Sequence, residues 1–304
     1  MLTSIALCTI LNPLFIFGFG WGIRGSAAAT IIAQFVALCI VIAHFASPKS
    51  FIHFKREAFQ VDWRIIRDIL SIGLAPFLMN ICASTVAAFV NSAMLHYGGT
   101  GIHDIVTREH GAADLYVGAY GIVNRVALLF VMVVQGLNQG MQPIVGYNYG
   151  AKNYDRVRKA VFITIGCGVA IATLGFLLGE TIPHIIARGF VDSAKGGNEQ
   201  LLVDIASQGL RLVLVMFPLV GFQIVAGGFF QYIGRAPLAM FLSTTRQLLF
   251  LLPMLLILTP EYGAMGAWMS MPIADAASVV VAGTLLYMQI RKLRRLEHDM
   301  RFEL

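Results

Sequence analysis

Apolar residues occur in eight long runs that short polar stretches separate. The runs cover about residues 2–17, 25–46, 66–95, 116–145, 160–187, 203–233, 237–258 and 264–290. A helix needs ~20 residues to cross the hydrocarbon core of a bilayer, and all but the first run clearly reach that length. In lipid a chain must satisfy its own backbone hydrogen bonds, so these runs are helices rather than strands. The pattern predicts an all-α polytopic membrane protein with about eight transmembrane helices.

Composition supports this class. The chain has 304 residues, of which 58% are hydrophobic and only 12% are charged. Soluble globular domains carry roughly 25% charged residues, about twice this fraction. The net charge of +6 does not indicate a nucleic acid partner, because the basic residues lie in the gaps between apolar runs. The predicted partner is the lipid bilayer.

The distribution of basic residues predicts the topology. Of the 22 Lys and Arg residues, fifteen lie in alternate gaps and the C-terminal stretch, four lie on the other side, and three lie within the runs. Cytoplasmic loops of membrane proteins carry an excess of Lys and Arg. We therefore expect the loops after the second and fourth runs, and the C-terminus, to be cytoplasmic.

Cysteine and histidine give no sign of catalysis. The four cysteines lie inside apolar runs without a CxxC pair and are interpreted as small buried hydrophobic residues. One loop contains His103, Asp104, Glu109 and His110, which allows a metal site, although a solvated loop is the favoured interpretation. We expect neither a metal nor an enzyme.

A weak internal repeat suggests how the chain is organised. Gly22 and Gly25 match Gly263 and Gly266 at an offset of 241 residues. The offset spans six helices, an even number, which is typical of a parallel repeat about an axis along the membrane normal. Two copies of six would require about four further helices before Met1. The predicted divisions are two helices of an N-terminal lobe, a cytoplasmic linker, a complete six-helix lobe and a basic cytoplasmic tail, at residues 1–46, 47–65, 66–290 and 291–304.

The fourth run carries amides where a membrane helix is usually apolar. Asn124, Gln135, Asn138 and Gln142 share one helical face, and Gln139 lies one turn beyond Gln135. Amides exposed to lipid are costly, so this face must contact protein or water. Two interpretations follow: a stripe that lines a substrate pathway, or hydrogen bonds between helices.

Other polar residues extend the candidate pathway. Arg125 either extends toward the membrane surface or faces the cavity. Asn80 and Asn91 share a face of the third run, and Gln223 of the sixth run is assigned to the same cavity.

Asp275 is the only acid deep within the apolar runs. Arg246 lies at a similar depth in the preceding run. An ion pair between the two would be structural, whereas a free Asp275 would be a candidate for ion coupling. The pair is the favoured alternative, because unpaired charges at that depth are rare.

Three stretches carry a resemblance to a known family. They are residues 146–159 (GYNYGAKNYDRVRK), residues 12–17 (NPLFIF) with 22–25 (GIRG), and Arg246-Gln247 ahead of Pro253 with 272–275 (PIAD). The chain resembles the multidrug and toxic compound extrusion (MATE) family, in its DinF/MepA-like bacterial branch, over essentially its whole length. The resemblance implies helices 5 to 12 of a twelve-helix, two-lobe fold. It also implies an antiporter of the bacterial inner membrane that expels small organic cations, needs no cofactor and is driven by a proton or sodium gradient.

Two departures from the family pattern concern ion coupling. Ser84 stands where the sodium-coupled branch has a glutamate, and Asn12 precedes Pro13 where family members often carry an aspartate. Neither residue titrates. The energy source is therefore expected at Asp275 or in helices before Met1.

Three alternatives remain open. A lipid-linked oligosaccharide flippase of the same superfamily would need several cavity cations, and only Arg125, Arg211 and Arg246 are available. A membrane-embedded enzyme would need a nucleophile and base at depth. The chain could also be a fragment without activity of its own. No obligate protein partner is predicted.

Overall fold

The computed structural model describes residues 2–47, 62–97, 112–191 and 199–302. Most of the predicted linker, and the loop with His103, Asp104, Glu109 and His110, lie outside the described residues. The helices in these ranges are α1 (Leu2–Pro13), α2 (Gly22–Ala46), α3 (Trp63–Tyr97), α4 (Ala112–Gly150), α5 (Tyr154–Thr181), α6 (Pro183–Arg188), α7 (Glu199–Leu214), α8 (Phe217–Tyr232), α9 (Ala236–Thr244), α10 (Leu252–Tyr262) and α11 (Ala264–Phe302). π-Helical turns follow α1 at Leu14–Gly18 and join α9 to α10 at Thr245–Leu251.

Membrane-length helices dominate the described residues. Six are long and apolar enough to cross a bilayer, and a seventh span is obtained if the bent pair α7 and α8 is counted as one. A shorter apolar helix at Thr3–Gly18 corresponds to the first and shortest predicted run. The described residues contain no strand. The predicted all-α polytopic fold is confirmed.

The chain divides into two compact units, Met1–Asp68 and Ile69–Leu304. The division falls a few residues after the predicted linker, within the first turns of α3. In the first unit, α2 packs against α1 and the π-helical turn through small buried residues, including Ala29 and Ala33. Small side chains let helix backbones approach closely in a membrane protein, where no hydrophobic force drives helix association.

In the second unit, α5 packs against α4 and α8, and α4 also contacts α7 and α8. Glycines set the closest approach. A Cβ atom on Gly221 of α8 would lie 2.6 Å from the carbonyl oxygen of Gly168 in α5. One buried cluster surrounds Leu210, Phe217 and Trp268, and another contains Phe229 and Phe230. Among the described residues, the contacts of α4 with α5, α7 and α8 run along one side of the helix.

Glycines that match in the sequence repeat lie at corresponding places in two helical hairpins. Gly22 and Gly263 both have positive φ, at +53° and +63°, a conformation that side chains disfavour. Gly22 is the first residue of α2, and Gly263 lies directly before α11. A Cβ atom on Gly25 would lie 2.8 Å from the carbonyl oxygen of Phe15, and one on Gly266 would collide with the carbonyl oxygen of Leu258. The paired glycines therefore serve the same local geometry in both hairpins.

Gly266→Ala should destabilise the hairpin of α10 and α11. The added methyl group meets backbone, which cannot rotate away, so we expect a loss of about 1–3 kcal/mol in the free energy of unfolding. Gly283→Ala in the same helix is the matched control, because no described atom lies within 4 Å of its added Cβ. Thermal unfolding of the purified variants in mild detergent measures both. Equal stability of the two variants would contradict the close approach at Gly266.

Candidate substrate pathway

Helix α4 is 39 residues long and carries two very different faces. One face is buried against α5, α7 and α8, through residues such as Val123, Val134 and Val145. At 3.6 residues per turn, the opposite face points away from the unit. It exposes Asn124, Gln135, Gln139 and Gln142, which together are called the amide face.

Asn138 lies at the edge of this face and is buried. Its side chain is only 3% exposed and packs against Gly228 of α8, where any larger residue would collide with it. Its Nδ2 donates a hydrogen bond of 3.3 Å to the carbonyl oxygen of Ile224. The structure thus separates Asn138 from the other amides and gives it the geometry of an interhelical contact.

Glycines leave open space along the exposed side of α4. Gly121, Gly136 and Gly140 lie among or beside the amides, and an added Cβ at any of them would have no described atom within 4 Å. Packing within the described part of the chain therefore does not require glycine there. The small residues leave room along the helix for another molecule or helix.

The amide face differs from the lipid-facing surface of the neighbouring helix. The exposed side of α5 presents Phe162, Ile163, Leu174 and Leu177. Such side chains suit hydrocarbon, whereas exposed amides in the same layer cost free energy unless they meet water or polar partners. Exposed apolar residues, including Leu128 and Met132, lie on the same side of α4. The amides are therefore a polar patch within a mixed surface, and the patch itself favours water, solute or protein over lipid tails.

Three further predicted residues share the exposed polar character. Arg125 is exposed beside Asn124 and forms no ion pair with any described residue. On α3, Asn80 and Asn91 are exposed, while Val90 and Met94 are buried on another face of that helix. These residues remain candidates for the pathway.

Gln223 is buried and is not part of the exposed polar surface. It is 8% exposed within α8, and its Oε1 accepts a hydrogen bond of 2.8 Å from Ser278 Oγ of α11. Ser278 Oγ also lies 2.9 Å from the carbonyl oxygen of Asp275. Gln223 therefore belongs to a buried polar contact between α8 and α11, and its predicted role in lining the cavity stays a prediction.

The ion pair between Arg246 and Asp275 is present. Arg246 Nε donates to Asp275 Oδ1 at 2.7 Å, and the carboxylate side chain is only 8% exposed. Arg246 lies in the π-helical turn Thr245–Leu251. Asp275 is thus held by a partner of opposite charge rather than standing as a free acid.

Two backbone features escaped the sequence interpretation. The sixth run is a bent pair, in which α7 and α8 meet at 53°. Pro218 in the first turn of α8 was the available signal, since proline favours the start of a helix over its interior. The π-helical turn at Arg246 had no signal in the hydrophobic pattern.

One groove in the described part of the chain is lined by residues other than the predicted ones. An open groove of about 500 Å³ lies beside Arg246, and its lining is mainly apolar, including Met240, Phe241 and Leu248. None of the predicted pathway residues lines it. The amide face is an open surface of the second unit.

Membrane-length helices define a multi-pass membrane protein, and the exposed amides and the Arg246–Asp275 ion pair are polar groups within its spans. The MatE family model matches residues 101–257, which is more than half of the chain. The chain belongs to the MatE family, whose members are transporters and not enzymes.

Curated relatives agree with this assignment. The chain is 25% identical over 296 residues to the multidrug export protein MepA of Staphylococcus aureus strain N315. It is 23% identical over 288 residues to MepA of Staphylococcus saprophyticus. In both comparisons the match covers 95% of this chain and 59% of the relative, so the chain spans about three-fifths of their length.

Solved structures share the fold. A multidrug resistance MATE family transporter of the MOP superfamily, in an outward-facing conformation, matches with a TM-score of 0.80 at 22% identity, over 97% of this chain and 62% of that one. A MOP superfamily transporter from Pyrococcus furiosus matches with a TM-score of 0.81 at 22% identity, over 96% and 62%. The resemblance stated from the sequence motifs is confirmed.

Proposed function

We propose that this chain supplies the larger part of a multidrug exporter of the bacterial inner membrane. The exporter expels small organic cations by antiport against protons or sodium ions and needs no cofactor. The observation that carries the proposal is the exposed amide face of α4 in a member of the MatE family. The relatives named as multidrug export proteins support the substrate class.

Neutral amides suit a pathway for varied organic cations. Each glutamine or asparagine offers both a donor and an acceptor, so the same side chain adapts to different solutes. A fixed carboxylate would bind one cation tightly and slow its release. Gln135, Gln139 and Gln142 lie within two turns of one another, and the adjacent Gly136 and Gly140 leave space beside them.

Asp275 is the proposed coupling residue within the described part of the chain. Among the buried residues that the structure describes it is the only acid, and Arg246 neutralises it. Proton uptake by the carboxylate would remove the charge that holds Arg246. Coupling through Asp275 therefore requires this ion pair to open during the transport cycle.

The proposed orientation places the C-terminal end of α11 in the cytoplasm together with the connection between α4 and α5. Contact between these two parts supports it: Arg158 of α5 forms an ion pair of 3.1 Å with Glu297 of α11. Both parts carry basic residues, as cytoplasmic segments do.

The flippase alternative gains no support from the site. A pyrophosphate group calls for several converging cations. On the polar side of α4 only Arg125 is available among the described residues, and Arg246 is paired with Asp275. Organic cations therefore remain the better match.

The test is accumulation of ethidium, a fluorescent organic cation, in bacteria that express the chain. We expect lower accumulation than in cells without it, and recovery of full accumulation when the proton and sodium gradients are collapsed. Gln135→Leu together with Gln142→Leu should abolish the difference, while Ile163→Leu on the lipid-facing side of α5 should preserve it. Export that persists without either gradient would contradict antiport, and absence of export would contradict activity of this chain.

A further inference from the structure

Helix α11 is much longer than a membrane crossing requires. Its 39 residues span about 58 Å at 1.5 Å per residue. The hydrocarbon core of a bilayer is about 30 Å thick, and the polar layers bring the total to about 40–45 Å. The C-terminal part of α11 therefore passes through the headgroup layer and beyond it.

One face of α11 changes from apolar to basic along its length. Val280, Tyr287 and Met288 are exposed, at 69%, 67% and 59%. The same side continues into exposed cations, which are Arg291, Lys292, Arg294 and Arg295 and are here called the basic face.

The opposite side of α11 is buried over the same stretch. Leu286, Ile290 and Leu293 pack into the inner core cluster of the second unit. The apolar exposed residues lie where lipid tails would be, so the basic face begins where those tails end. Tyrosine and arginine are the residues typically found at that depth.

An ion pair fixes the direction of the basic face. Arg158 of α5 contacts Asp155 at 3.0 Å through Nη2 and Glu297 of α11 at 3.1 Å through Nη1. The side chains of Arg158 and Glu297 are only 21% and 18% exposed. This contact holds the end of α11 against α5 and leaves the cations pointing away from the protein.

We propose that the basic face binds the headgroup of an anionic phospholipid. Arg291 and Arg295 are one turn apart and can contact the same phosphate, since guanidinium groups match phosphate geometry. Tyr287 lies one turn earlier, at the boundary between headgroup and acyl chain. The charge of the face excludes a neutral headgroup as the preferred occupant. This site is independent of the transported solute.

Native mass spectrometry of the purified 304-residue chain in detergent tests the site. Phosphatidylglycerol should bind more tightly than phosphatidylcholine. Since each cation near an anionic lipid contributes about a fivefold gain in binding, Arg291→Gln with Arg295→Gln should weaken phosphatidylglycerol binding by roughly ten- to thirtyfold. Binding of phosphatidylcholine should not change.

Lys152→Gln with Arg156→Gln is the matched control, because it removes two exposed cations near the start of α5. It should leave phosphatidylglycerol binding within about twofold, whereas an equal loss in both double variants would overturn a site on α11. Glu297→Gln tests the role of the ion pair. If net charge alone mattered, removal of this negative charge would strengthen phosphatidylglycerol binding. Weaker binding therefore supports orientation of the basic face by the Arg158–Glu297 ion pair. Stronger or unchanged binding contradicts it.

Discussion

Arg246→Met is expected to lower the free energy of unfolding by about 3–5 kcal/mol, because it leaves the buried carboxylate of Asp275 without a partner. The pair is close, at 2.7 Å, and the side chain of Asp275, about three turns into α11, is only 8% exposed. Steric trapping or chemical denaturation in detergent micelles measures the loss. The effect is expected to exceed that of any exposed substitution on the same unit.

Arg211→Met is the matched control. Arg211 is also within a predicted span, but it is exposed and forms no ion pair with a described residue, so its loss should change stability by less than about 0.5 kcal/mol. Replacing both partners, as Arg246→Met with Asp275→Leu, should recover most of the stability, since a well-packed apolar pair often matches a buried ion pair. Similar losses for Arg246→Met and Arg211→Met would contradict a structural pair.

The same double variant separates two roles of Asp275. If the pair is only structural, a stable double variant retains export driven by the gradients. If Asp275 couples ion movement to export, the double variant is stable but no longer responds to the gradients. Ethidium accumulation in the same cells distinguishes these results.

Much of the fold follows from local properties of the sequence. Run length predicts the membrane helices because lipid supplies no hydrogen-bond partners to the backbone. Gly22 and Gly263 indicate matching connections because positive φ selects glycine at each of them. These signals depend on residues close together in the sequence and not on neighbouring helices. The sequence alone therefore predicts these parts of the fold.

The rest depends on contacts between distant residues. Asn138 and Gln142 share a helical face in sequence, yet Asn138 is buried because Gly228, ninety residues later, makes room for it. Gln223 likewise meets Ser278 of another helix. The bend between α7 and α8 and the π-helical turn at Arg246 depend on tertiary packing, which overrides the helical period. The sequence therefore identified the polar residues but could not divide them between packing and pathway.

The assignment of the exposed amides to a pathway leads to the second prediction with a large expected effect, which concerns cysteine reactivity. Cysteine reacts as the thiolate, which forms readily in water and poorly in apolar surroundings. If the amide face borders a water-filled pathway, cysteines introduced there should react with a membrane-impermeant maleimide at least about ten times faster than cysteines that face lipid. The native cysteines, Cys8, Cys39, Cys82 and Cys167, are first replaced by serine or alanine.

Labelling of inverted membrane vesicles, whose cytoplasmic side faces the reagent, tests this account most directly when the vesicles come from cells that express single-cysteine variants. Gln135→Cys and Gln142→Cys report on the amide face, and Ile163→Cys and Leu174→Cys, exposed on α5, are the controls. Rapid labelling at both amide positions, slowed by excess ethidium, with little labelling at the α5 positions, is the predicted result. Labelling at Gln135 and Gln142 as slow as at Ile163 and Leu174 would contradict a substrate pathway along α4.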